Sequence, residues 1–136
     1  MKNLIARLEA KMSLQSGFLH HDFEDEQRLV ALLLRKGGDP LKVLGINLDT
    51  YADVLAPSPF RAMQNGVICL VTVICRLTIS FGVHPEQSFA LSDYYVCEVE
   101  RQKNKAELES LIREVFDNFS DLIYTENVRG YSPGIK

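Results

Sequence analysis

The sequence predicts an all-α fold, a bundle of about five helices, on three observations. Near the C-terminus, Leu108, Leu111, Ile112, Val115, Phe116, Phe119, Leu122 and Ile123 recur at the spacing of a single helical face. Between Ser58-Pro59 and Gly82 the chain runs on for far longer than a strand of about 5–6 residues, with no hairpin turn to divide it. Finally, Asp39-Pro40, Ser58-Pro59 and His84-Pro85 each place a helix-capping side chain before a proline, which loses only an N–H that the first turn leaves unpaired.

Taken in order, Leu4, Ile5, Leu8 and Met12 make a short helical stripe stopped near Gly17. Asp22 is expected to cap a helix carrying Phe23, Leu29, Val30, Leu33 and Leu34. Glu24, Asp25 and Glu26 lie in its first turn and Arg35-Lys36 in its last, which suits the helix dipole at both ends, and Gly37-Gly38 terminates it. Asp39-Pro40 opens a further helical turn, followed by a connector of undefined structure over 45–58. The segment at about 59–81 is rich in β-branched residues that favour strands, but its length makes it a helix, and its apolar surface on nearly all sides makes it the central, most enclosed one. His84-Pro85 begins the next helix, in which Phe89, Ala90, Tyr94, Cys97 and Arg101 form the expected inward stripe while Glu98, Glu100, Gln102 and Lys103 face solvent. Asn104 and Glu107 then form an N-x-x-E cap for the amphipathic C-terminal helix at about 105–125.

Composition narrows the function. The chain has 136 residues, 46% apolar and 24% charged, as in a soluble single domain. Fifteen Lys and Arg against eighteen Asp and Glu leave a net charge of −3, without the basic footprint that phosphate backbones require. The N-terminus lacks the continuous hydrophobic region of a secretory signal, and the run Val67–Cys75 is about half of the ~20 residues needed to cross a bilayer. A cytoplasmic protein without a membrane span is expected. Cys69, Cys75 and Cys97 show no CxxC spacing and read as small buried side chains of a reducing compartment.

Few groups offer chemistry. His20-His21, with Asp22 and Glu24 nearby, read as an exposed loop pair rather than a metal site, and His84 as a cap. Cys97 would need a His or Lys beside it to act as a nucleophile. Phosphate-binding, metalloprotease, nucleophile-elbow and dinucleotide motifs are absent from the sequence. An enzyme is not expected, nor a metal or other cofactor. Arg76 interrupts the most apolar helix, and a buried guanidinium must be paired. An ion pair with Asp93 on the next helix is one reading, a side chain that snorkels outward is a second, and reception of an anionic ligand inside the bundle is a third. Tyr51, Tyr94 and Tyr95 are candidates for a pocket or a dimer face, set against the commoner role of core aromatics.

The residues Pro59-Phe60-Arg61 with Asn65, Gly82-Val83-His84-Pro85, Leu91-Ser92-Asp93-Tyr94-Tyr95, Glu100 and Tyr131-Ser132-Pro133 form a pattern. It resembles the N-terminal helical domain of bacterial AraC-type transcriptional regulators. The resemblance covers residues 58–133, with 1–57 matching only loosely. It implies that residues 1–128 are an effector-sensing or dimerising regulatory domain and that 129–136 begin the linker to a C-terminal helix-turn-helix domain not in this chain. Tyr131-Ser132-Pro133 would introduce the first helix of that domain, which reads DNA in the major groove. The partners so implied are a second copy of the chain and a small-molecule or protein effector, with DNA held only through the further domain. The effector signal would leave by the last helix, ending near Glu126, and a short linker over Asn127–Tyr131. A stand-alone helical protein-interaction module is the alternative reading.

Overall fold

The computed structural model describes residues 2–6, 23–35, 38–51 and 55–130. Residues 2–6 are helical, with Leu4 and Ile5 exposed rather than packed. Five α-helices follow: α1 (Phe23–Arg35), α2 (Pro40–Val43), α3 (Pro59–Ser80), α4 (Pro85–Arg101) and α5 (Lys105–Gly130), with a 3-10 turn at Leu48–Tyr51 between α2 and α3. There is no strand among the described residues. The expected all-α bundle is therefore the fold.

In α1, Leu29, Leu32 and Leu33 are buried, while Leu34 lies outside the core. Leu32 was missing from the expected stripe because a run of three leucines conceals which two face inward. The caps expected at Asp22 and Gly37 lie outside the described residues. Gly38 adopts a φ of 81°, a conformation only glycine enters freely. Asp39 caps α2 as expected, its Oδ1 accepting from the Leu41 N–H at 3.1 Å. The same carboxylate receives the Arg113 guanidinium through two bonds, at 3.0 and 3.2 Å, tying α2 to α5. Arg113 holds the Asp39 carboxyl below its ordinary pKa. Beyond α2 the connector is ordered by Asn47, whose Oδ1 accepts from the Asp49 N–H at 3.0 Å. Its next residue opens the 3-10 turn, and Lys105 at the start of α5 pairs with Asp49 at 2.9 Å.

The β-branched α3 remains helical because its core is built from it. Val67, Leu70, Val71, Ile74 and Cys75 are buried between α4, α5 and the 3-10 turn. Its threonines return their hydroxyls to the preceding turn, Thr72 to the Ile68 carbonyl at 3.0 Å and Thr78 to the Ile74 carbonyl at 2.8 Å. Ser58 sits at the N-cap without a side-chain cap bond, so Pro59 sets this start by itself. The helix is not enclosed all round, since Arg61, Cys69, Thr72, Arg76 and Ser80 line an exposed stripe. By length and composition α3 could cross a bilayer, and half of its most apolar 18-residue window is buried within the bundle.

Gly82, at φ 96°, reverses the chain into α4, where the His84 Nδ1 accepts from the Glu86 N–H at 3.1 Å as expected of a cap. The inward face of α4, however, is Ser88, Ser92, Tyr95 and Val99. Phe89, Ala90, Tyr94, Cys97 and Arg101, expected to face inward, are all exposed. The reason is steric: small Ser88 lets α4 approach α3 closely enough for its hydroxyl to donate to the Cys75 carbonyl at 2.9 Å. The hairpin is clamped again at its open end by Gln64, whose Nε2 donates to the Val99 carbonyl at 3.2 Å.

The capping signal of α5 is realised. The Asn104 Oδ1 accepts from the Glu107 N–H at 2.9 Å, and the Glu107 Oε1 reaches back to the Lys103 N–H at 2.6 Å. Seven of the eight predicted stripe residues are buried, and Leu122 is half-buried. Ser120 joins them in the core. The helix continues to Gly130, so residues 127–130, expected to be linker, are helical. Residues 131–136 lie outside the described residues.

Candidate functional site

The hairpin of α4 and α5 opens into a cleft of about 560 Å³. Tyr94 and Glu98 line it from α4, Gln102 from the turn that follows, and Glu107, Ser110 and Glu114 from α5. The capped turn fixes its closed end, because Glu107 and Asn104 are both held by backbone bonds. Gln102 is fixed too, its Nε2 donating to the Glu98 carbonyl at 2.8 Å. Glu98 pairs with Arg101 on its own helix at 3.3 Å. The remaining walls carry carboxylates without cations, so the cleft repels anions. Glu98, with burial and Glu114 behind it, raises the Tyr94 pKa, keeping that phenol neutral.

Of the expected site residues, the structure brings only Tyr94 to this cleft. Its neighbour Tyr95 is fully buried and turned toward α5, a ring-edge contact with Tyr94 placing the centroids 5.0 Å apart. The Tyr95 hydroxyl accepts from the Asn118 side-chain amide and donates to the Glu114 carbonyl at 3.4 Å. Tyr95 is thus a core aromatic. Burial pushes its phenol up to about 12, against the opposing pull of Asn118. Because the unfolded phenol ionises near 10, the folded chain retains this proton where the unfolded chain has released it. Stability is therefore expected to fall as pH rises from about 10 to about 12. In Tyr95→Phe that alkaline loss should shrink, as urea titrations of the two proteins at successive pH values would show.

Arg76 and Asp93 are both exposed and no ion pair joins them. Arg76 reaches outward from α3, which also removes the reading of an anion held inside the bundle. Opposite Cys75 on α3 lies Ser88, so Asp93 is more than a turn away along α4. Tyr51 closes the 3-10 turn, and His20-His21 lie outside the described residues. Among the described residues no group of three or more His, Cys, Asp or Glu is arranged to hold a metal ion. All three cysteines are free thiols, and Cys69 and Cys97 are exposed, against the expectation of burial. They occupy the polar flanks of α3 and α4, away from the Cys75 contact with Ser88. A thiol reagent added to the native protein is expected to modify two thiols promptly, the third reacting only on denaturation.

Glu98, Glu107 and Glu114 escaped the sequence reading because each also fits a solvated helix face. The available signal was Tyr94 and Glu98 one turn apart on α4, facing Glu107, Ser110 and Glu114 at i, +3 and +7 on α5. The chain matches no protein-family model, no curated protein and no solved structure.

Proposed function

We propose that this chain is the regulatory domain of an AraC-type transcriptional regulator, a cytoplasmic, non-enzymatic bundle that dimerises or senses an effector. In that role it sets how DNA-reading units attached after α5 are presented. The observation that carries the reading is the coincidence of α5 with the resemblance. A single helix, buried in the core from Leu108 to Ile123, continues without a break to Gly130 and leads into Tyr131-Ser132-Pro133. An effector or second copy that favours one packing of α3, α4 and α5 would shift the population of that packing and re-aim the end of α5. The net charge of −3 agrees with a division of labour in which DNA is held elsewhere.

The test is a fusion of residues 1–136 to a DNA-binding domain that represses a reporter only as a dimer. Repression by the fusion, together with no binding of duplex DNA by the unfused chain, is the expected result. A fusion that accumulates but does not repress would overturn the dimerising part of the proposal, and a reading frame that stops at Lys136 would overturn the whole.

A further inference from the structure

The α3–α4 hairpin has a second side, turned away from α5, that is partly open among the described residues; at its Pro59 end the Asn65 side chain donates to the Leu55 carbonyl at 2.9 Å. Its position follows from the clamps. Gln64 and Cys75 define the line along which α3 meets α4, and Ser88 and Val99 the matching line on α4. At about 100° per residue, Val67, Leu70 and Ile74 lie on one flank of the α3 line and are buried. Ile68, Thr72 and Ile79 lie on the other flank, where the two isoleucines are only half-buried and Thr72 is exposed. On α4, Tyr95 turns toward Glu114 and Asn118 of α5, which puts Phe89 and Val96 on the flank away from it. Phe89 is 44% exposed and Val96 half-buried. The two outer flanks adjoin, so Ile68, Ile79, Phe89 and Val96 form one apolar strip along the hairpin.

Charge frames this strip asymmetrically. On α3 the exposed ions are Arg61 and Arg76; on the α4 edge beside the strip they are Glu86, Asp93 and Glu100, while Arg101 of the same helix is exposed and paired with Glu98 on the side that faces α5. None of the five is ion-paired to another described residue. Because Cys75 lies opposite Ser88 and Gln64 opposite Val99, Arg76 stands level with the Glu86 end of α4 and Arg61 with the Glu100 end. One edge of the strip is thus basic and the other acidic, with the opposite signs at matching heights.

We infer that this face docks on the same face of a second copy of the chain. A two-fold axis running along the hairpin lays α3 of each copy over α4 of the other. The apolar strips then cover one another, Arg76 meets the Glu86 edge of the second copy, and Arg61 its Glu100 edge. A two-fold axis across the hairpin would instead set α3 on α3, arginine against arginine. The inference rests on the reading of the chain as a dimerising module and names the surface by which it dimerises.

Sedimentation equilibrium of the whole chain over a concentration series tests it, with circular dichroism to establish that each variant is folded. The parent is expected to dimerise. Phe89→Glu, at an already exposed position, and Arg76→Glu are each expected to raise the dimer dissociation constant by about tenfold or more. Combining Arg76→Glu with Glu86→Arg is expected to restore much of the loss, while Tyr124→Glu on α5 leaves the dimer unchanged. A parent that stays monomeric overturns both the inference and the reading of the chain as a dimerising module. A dimer indifferent to all the hairpin variants overturns the assigned face alone and leaves dimerisation standing.

Discussion

Phe119→Ala is expected to lower the unfolding free energy by about 3–5 kcal/mol, the range found for truncating a buried phenylalanine. Phe119 is fully buried on α5, and its ring lies 6.4 Å from that of Tyr95, so the one side chain fills space between α5 and α4. Its removal deletes a large apolar group and leaves a void among helices that cannot close around it, since the α3–α4 hairpin is clamped at both ends. Urea unfolding measures the effect, which should appear as a lower midpoint at unchanged slope. Leu122→Ala, three residues along and only half-buried, is the internal control and should cost clearly less. Equal losses in the two would show that α5 does not present the face described.

Ser88→Leu carries the second large effect. The hydroxyl donates to the Cys75 carbonyl at 2.9 Å, which places the Ser88 side chain against the α3 backbone with no room for a branched substitute. Overpacking there should cost about 1–3 kcal/mol and force α4 away from α3. Ser88→Ala keeps the volume and loses only the hydrogen bond, so about 0.5–1.5 kcal/mol is expected. The order of the two matters more than either value. If leucine were tolerated as well as alanine, the close approach of α3 and α4 would be wrong, and with it the geometry of the docking face.

These two residues mark where sequence reading succeeds and where it fails. Phe119 was legible because the α5 stripe is built wholly from large apolar residues, and its period has one solution. Ser88 was not, because the inner face of α4 is made of Ser88, Ser92, Tyr95 and Val99, only two of which look like core. Beside them Phe89, Tyr94 and Cys97 offered a more hydrophobic stripe at the same period. Hydropathy favoured the stripe that faces outward; close packing of helices selected the small one. The Arg76–Asp93 pair does not form because both side chains are exposed and Cys75 lies opposite Ser88, which leaves Asp93 more than a turn away along α4. The helix starts were legible at His84 and Asp39, where a single side chain makes the cap, and at Asn104, where Glu107 completes it. The cleft was not, since it arises from two ordinary polar faces meeting across a turn.

The close α3–α4 hairpin, and with it the docking face, depends on α3 being a buried core helix of a bundle in water, despite a composition that favours strands and a hydropathy that would suit a membrane. Backbone chemical shifts and amide exchange across 59–81, in detergent-free buffer, test this most directly. Helical shifts throughout are expected, with Val67, Val71 and Ile74 among the slowest amides in the chain to exchange. Strand-like shifts between Val67 and Cys75, or a segment that keeps its structure only in detergent, would contradict the account.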